Sequence, residues 1–180
     1  IIMRHFLKFI LVMLLTFCCC GFISAQVDTS YIVTTTKNYT KYLDSVDKLD
    51  HPQNFGFMTS VADGIIKRDN IVVGGFGVYT LSNAKGDTAL RIEYHDNLDI
   101  NIYKTYYYKD NNLIYAVVEL QDGRNNMKVL YHKEELYDAD QTIWTKITQD
   151  KKANKYIDKI NFSMHNDGLK FLNDFKIEYN

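Results

Sequence analysis

Lys104-Thr105-Tyr106-Tyr107-Tyr108-Lys109-Asp110-Asn111-Asn112-Leu113-Ile114-Tyr115 is the stretch whose reading decides the fold. Aromatic and β-branched residues, which suit a pleated surface, stand on both sides of a short cluster of Asp and Asn. Asx residues tolerate positive φ, so either Asp110-Asn111 or Asn111-Asn112 can make a two-residue hairpin turn. The first choice sets Tyr108 opposite Leu113; the second sets it opposite Tyr115, and Lys104 opposite Glu119. Both put the same residues on the same faces, because side chains alternate with a period of two. One face carries Ile102, Lys104, Tyr106, Tyr108, Leu113, Tyr115, Val117 and Glu119. The other carries Tyr103, Thr105, Tyr107, Ile114, Ala116, Val118 and Leu120. The second set is the more uniformly apolar, so it is expected in the core and the first in solvent.

Outward from the hairpin the strand pattern continues. Ile71 to Leu81 leads into Ser82-Asn83-Ala84-Lys85-Gly86-Asp87, where Gly86 supplies the left-handed conformation that a tight loop requires. Thr88 to His95 alternates, with Leu90, Ile92 and Tyr94 against Arg91, Glu93 and His95. Ile100 to Lys109, Leu113 to Leu120, Met127 to Tyr137 and Thr142 to Thr148 complete about six strands. Their connections are too short for βαβ crossovers, so the sheet is expected to be a single antiparallel meander. Ahead of it, Tyr39, Tyr42, Leu43, Val46 and Leu49 recur at helical spacing, with Asp44, Asp47 and Lys48 on the opposite side. That predicts a helix over 36–50, ended by Pro52 and laid on one face of the sheet through Tyr39, Leu43, Val46 and Leu49. Leu169, Leu172 and Phe175 predict a C-terminal helix from about Ser163, weakened by Gly168 by about 1 kcal/mol relative to alanine. The fold class is therefore α+β and β-rich.

The run Tyr107-Tyr108-Lys109-Asp110-Asn111-Asn112-Leu113-Ile114 resembles the Y-Y-x-D-G-K-L-I hairpin of small exported bacterial β-meander proteins. The resemblance covers roughly residues 60–147 and departs from the pattern at Asn111, where the glycine usually stands. It implies a single antiparallel sheet with a helix on one face, and it lends no active residue.

The N-terminus reads as a secretory leader. Arg4, His5 and Lys8 precede the apolar run Phe9–Phe17, and the segment closes on small residues at Ser24-Ala25. The run is shorter than the ~20 residues a membrane span needs. Cleavage after Ala25 would leave residues 26–180 as one periplasmic or extracellular domain; an uncleaved anchor is the alternative. All three cysteines, Cys18, Cys19 and Cys20, lie in this leader. Adjacent thiols make neither a disulfide framework nor a zinc site. Lipid attachment through one of them is the remaining role, although Phe17 occupies the position where lipoproteins carry a small residue. Losing the leader removes Arg4 and Lys8 from 21 basic residues and none of 22 acidic ones, so the net charge falls to about −3. That balance argues against nucleic acid or an anionic membrane as partner.

No motif announces chemistry. Gly74-Gly75-Phe76-Gly77 leads into a strand, whereas a phosphate loop leads into a helix, so a bulge or close backbone approach is expected. Glu93, His95, Asp96 and Asp99 form one polar cluster and His132, Glu134 and Glu135 another. A solvated strand edge accounts for both, while a hydrolase or metal-dependent enzyme would use His95 or His132 with nearby carboxylates. Asp138-Ala139-Asp140 lacks the twelve-residue calcium loop and reads as a turn. Neither a cofactor nor a metal site is expected. All fourteen tyrosines lie beyond the leader, and tyrosine joins an apolar body to a polar tip. The functional expectation is therefore a non-enzymatic binding module. It would hold a glycan, peptide or protein on an exposed face bearing Lys104, Tyr106, Tyr108, Tyr115 and Glu119.

Overall fold

The computed structural model describes residues 29–179. The leader read at 1–25, with Cys18, Cys19 and Cys20, lies outside the described residues. The chain divides at Ile32–Val33, and the whole sheet belongs to the second unit. Its elements are α1 (Thr29–Asp47), β1 (Phe57–Arg68), β2 (Ile71–Asn83), β3 (Ala89–Asp96), β4 (Asn101–Lys109), β5 (Asn112–Asp122), β6 (Lys128–Asp138), β7 (Gln141–Gln149), the short α2 (Ile157–Ile160) and α3 (Met164–Tyr179). All seven strands form one antiparallel sheet in sequence order, the meander that the short connections require.

Turn chemistry sets the connections. Asp69-Asn70 and Asp110-Asn111 both hold positive φ at their two central residues, the geometry that matches strand twist in two-residue hairpins. Ala139, between Asp138 and Asp140, also has positive φ, and Gly86 takes φ 76° in the longer β2–β3 loop. β1 is the strand that the pattern did not announce. It occupies an edge, and most of its side chains on both faces are exposed, so burial imposes no alternation on its sequence.

Within the second unit, helices lie on both faces of the sheet. The larger core is on the α3 face. There Ile92, Ile102, Tyr106, Ala116, Val118 and Leu120 pack with Met164, Leu172 and Phe175, and Ala153 and Ile160 join them from the preceding turns. Gly168 lets α3 approach closely, since a Cβ there would come within 2.8 Å of both Leu113 and Tyr106. On the α1 face Leu43 and Val46 are buried, with Leu81, Tyr107, Tyr115 and Leu136 buried in the sheet beneath. The α1 helix starts earlier and ends earlier than 36–50, so Leu49 falls beyond it and is 37% exposed. Asp44 and Asp47, expected in solvent, turn inward to the buried Arg91.

The hairpin faces need correction. Asp110-Asn111 is the turn and Tyr108 does oppose Leu113, but Tyr107 pairs with Tyr115, leaving Ile114 as an extra residue in β5. This bulge reverses the parity of β5 beyond Leu113. Ala116, Val118 and Leu120 therefore share a face with Ile102, Lys104, Tyr106 and Tyr108, while Tyr115, Val117 and Glu119 share one with Tyr103, Thr105 and Tyr107. Both faces of the hairpin consequently bear apolar rows, and each receives a helix.

Candidate functional site

The expected binding surface is divided by this bulge. Lys104, Tyr106 and Tyr108 lie under α3, and Tyr115 and Glu119 lie on the opposite face. Tyr106 and Tyr108 are 0% exposed and Tyr115 is buried. Their phenols are anchors for helices: Tyr106 donates to Asp167 at 2.6 Å and Tyr108 to the Gly168 carbonyl at 2.8 Å. Lys104 meets the same Asp167 oxygen at 2.8 Å. Tyr115 donates to Glu134 on the α1 face. An exposed tyrosine face at these positions is therefore overturned; of the five, Lys104 and half-buried Glu119 line a surface depression.

Three straight rows of side chains cross the α1 face. The first is Leu81, Arg91, Tyr107, Tyr115, Leu136 and Trp144, and α1 covers it. The second is Tyr79, Glu93, Thr105, Val117, Glu134 and Lys146. The third is Gly77, His95, Tyr103, Glu119, His132 and Thr148. The second and third rows extend past the helix and make the candidate site.

Arg91 links the helix to this site. Its Nη1 and Nη2 lie 2.8 and 2.7 Å from Asp44 and Asp47, and its Nε is 3.4 Å from Glu93. Burial opposes its charge, but Glu93, Asp47 and Asp44 outweigh that and raise the guanidinium pKa further. Tyr79 donates to Asp47, and burial together with that bond pushes its phenol up to about 12. Glu93 is raised by burial even with Arg91 beside it.

The second polar knot centres on His132. Its Nδ1 lies 2.8 Å from Glu119 and its Nε2 2.9 Å from Glu134. Glu134 also accepts from Lys37 of α1 at 2.8 Å and from Tyr115. Burial would raise the Glu134 carboxyl, but the bonds from Lys37, Tyr115 and His132 overcome it and hold the pKa at about 2. A histidine and two carboxylates thus converge, as a hydrolase would need. Both ring nitrogens are engaged by those carboxylates. Among the described residues no group of three or more His, Cys, Asp or Glu is arranged to hold a metal. The ring of His165 packs against Tyr137, with centroids 5.1 Å apart.

Between the two knots the surface dips. A depression of about 250 Å³ is lined by Tyr79, Glu93, His95, Tyr103, Thr105, Glu119 and Gln121. Its floor carries the His95 ring stacked on Tyr103, with centroids 6.0 Å apart and planes at 22°. The other side of the His95 ring occupies the space over Gly77, where a Cβ would come within 2.4 Å. This is the close approach expected of the glycine run. A shallower trough continues along Val61, Asp63, Gly75 and Asn97. Tyr103 and Thr105 were not singled out in the sequence because their side belonged to the expected core, and Gln121 lies just beyond the stretch of the hairpin whose faces were assigned. Among the described residues no helix is long and apolar enough to cross a membrane. Compared with family models, curated proteins and solved structures, the chain matches none.

Proposed function

We propose that this protein is an exported, non-catalytic binding module that takes a hydroxyl-rich ligand, a glycan, in the depression beside α1. The observation that carries the reading is the solvent-facing His95–Tyr103 stack set among Glu93, Thr105, Glu119 and Gln121. A flat aromatic floor accepts the apolar face of a sugar ring, while carboxylates and an amide pair with its hydroxyls. The floor is held from both sides, by the Gly77 notch and by the sheet pairing of β3 with β4, so little order has to be created on binding. Export rests on the basic, apolar and small-residue order of residues 4–25.

Isothermal titration against mono- and oligosaccharides, with thermal shift as a screen, tests the binding. A saccharide should raise the unfolding midpoint, and Tyr103→Ala should weaken its affinity about tenfold with the fold intact. Failure of every saccharide to bind, or binding indifferent to Tyr103→Ala and Gln121→Ala, would remove this reading. Turnover abolished by His132→Ala would establish the hydrolase alternative in its place. Intact mass of protein recovered from an expressing host tests export: a chain starting at Gln26 is expected, and diacylglycerol on a cysteine at 18–20 would make it a lipoprotein.

A further inference from the structure

We infer that the outer edge of β1 joins two copies of this chain, antiparallel about a two-fold axis through Ile65. β1 pairs with β2 on one side and with no strand on the other among the described residues. Such an edge presents a row of unpaired N–H and C=O groups, which sheet proteins commonly protect with proline, lysine or a covering segment. From Val61 to Arg68 the strand holds no proline, its one lysine, Lys67, is accompanied by an acid, Asp63, and Val61 and Ile65 stand in solvent at 70% and 60% exposed. The opposite edge is protected differently. There β7 projects Lys146 from its centre, and Lys37 lies over Trp144.

Charge selects the occupant and the register. Asp63 and Lys67 lie on the same face as Ile65, two residues to either side, and both are exposed. Among the described residues neither has an ion-pair partner. A two-fold axis perpendicular to the sheet carries each face onto itself, so only registers pairing like faces are open. Centred on Ile65, the pair sets Asp63 opposite the second copy's Lys67, and Lys67 opposite its Asp63, with the two Ile65 side chains between them. Centred on Asp63 or on Lys67, like charges meet; centred on Gly64 or Ile66, an ion faces an isoleucine. Directly opposed charges of opposite sign favour cross-strand pairing and like charges oppose it. The stretch involved is centred on Ile65, and its second half, residues 65–68, runs past the end of β3. Tyr42 of α1 meets the other end, at Phe57.

Sedimentation equilibrium of the purified chain from about 1 to about 200 µM should show a monomer–dimer equilibrium. Asp63→Lys alone and Lys67→Asp alone should each weaken it about tenfold, and the double exchange should restore it. Residue pairing gives a second readout that does not depend on affinity. With Cys18, Cys19 and Cys20 changed to serine, Ile65→Cys should cross-link under mild oxidation, because directly opposed residues lie within disulfide reach. Val61→Cys, displaced along the strand from its own copy, should not. A single monomer throughout the range would overturn the inference, as would a dimer indifferent to the exchanges. Equal cross-linking at both positions would do the same, and open-ended growth would mean that β1 pairs with β7 of the next molecule.

Discussion

Gly168 lies inside α3, in its second turn, where alanine normally stabilises by about 1 kcal/mol. Here the added Cβ would sit 2.8 Å from a Leu113 methyl and from the Tyr106 ring. Tyr106 cannot yield easily, since its phenol is bonded to Asp167 and its ring lies against Phe171. Overpacking of this kind typically costs about 1–3 kcal/mol, so Gly168→Ala should lower the urea midpoint despite its better propensity. Propensity shows the glycine as a weakness in the sequence; only the packed helix shows what it is for. Glu134 gives a prediction in pH. Its folded pKa is about 2 against an ordinary value of 4.5. Its contribution to stability is therefore present above about pH 4.5 and is lost as the pH falls towards 2. Glu134→Gln should destabilise the protein at neutral pH, and the gap in melting temperature between the two proteins should close on acidification. A gap that stayed constant from pH 6 to pH 2.5 would show that the carboxylate is not held down.

At the scale of elements, α1 is docked by two kinds of contact. Leu43 and Val46 supply apolar burial, and Asp44, Asp47 and Lys37 supply ionic bonds to Arg91 and Glu134. Leu43→Ala should cost about 2–5 kcal/mol, whereas Lys41→Ala, at an exposed position, should change the midpoint by less than about 0.5 kcal/mol. Equal small effects would mean that the helix is not seated on the sheet. The apolar spacing of α1 was legible because it follows the helical period. Its inward carboxylates were not, because nothing in a sequence tells a buried partner such as Arg91 from a solvated arginine. The same limit governs the hairpin. Residue types narrowed the turn to Asp110-Asn111 or Asn111-Asn112, but the bulge at Ile114 carries no glycine or other mark, and one unmarked residue exchanged the faces of Tyr115, Val117 and Glu119. The site beside α1 was hidden by that exchange. His132 and its carboxylates were visible as residues in the sequence, but their mutual saturation was not.

For the second unit as a whole, one sheet separates two cores of unequal character. The α3 side is the larger and mostly apolar, while the α1 side combines a few apolar residues with a network of charges. Partly exposed ion pairs weaken with salt, and carboxylates protonate in acid, whereas apolar burial is little affected by either. Amide exchange should therefore be faster in α1 than in β4 and β5, and the difference should widen with salt and at low pH. Uniform exchange across both would show that the two sides open together. The single tryptophan of the chain stands at this boundary, with the Lys37 ammonium 4.3 Å from its ring centroid. Its emission is a built-in optical gauge of whether the helix is seated. Lifting α1 would admit water and quencher to Trp144 while the far-ultraviolet circular dichroism of the strands persisted, so loosening of one layer could be watched without a label.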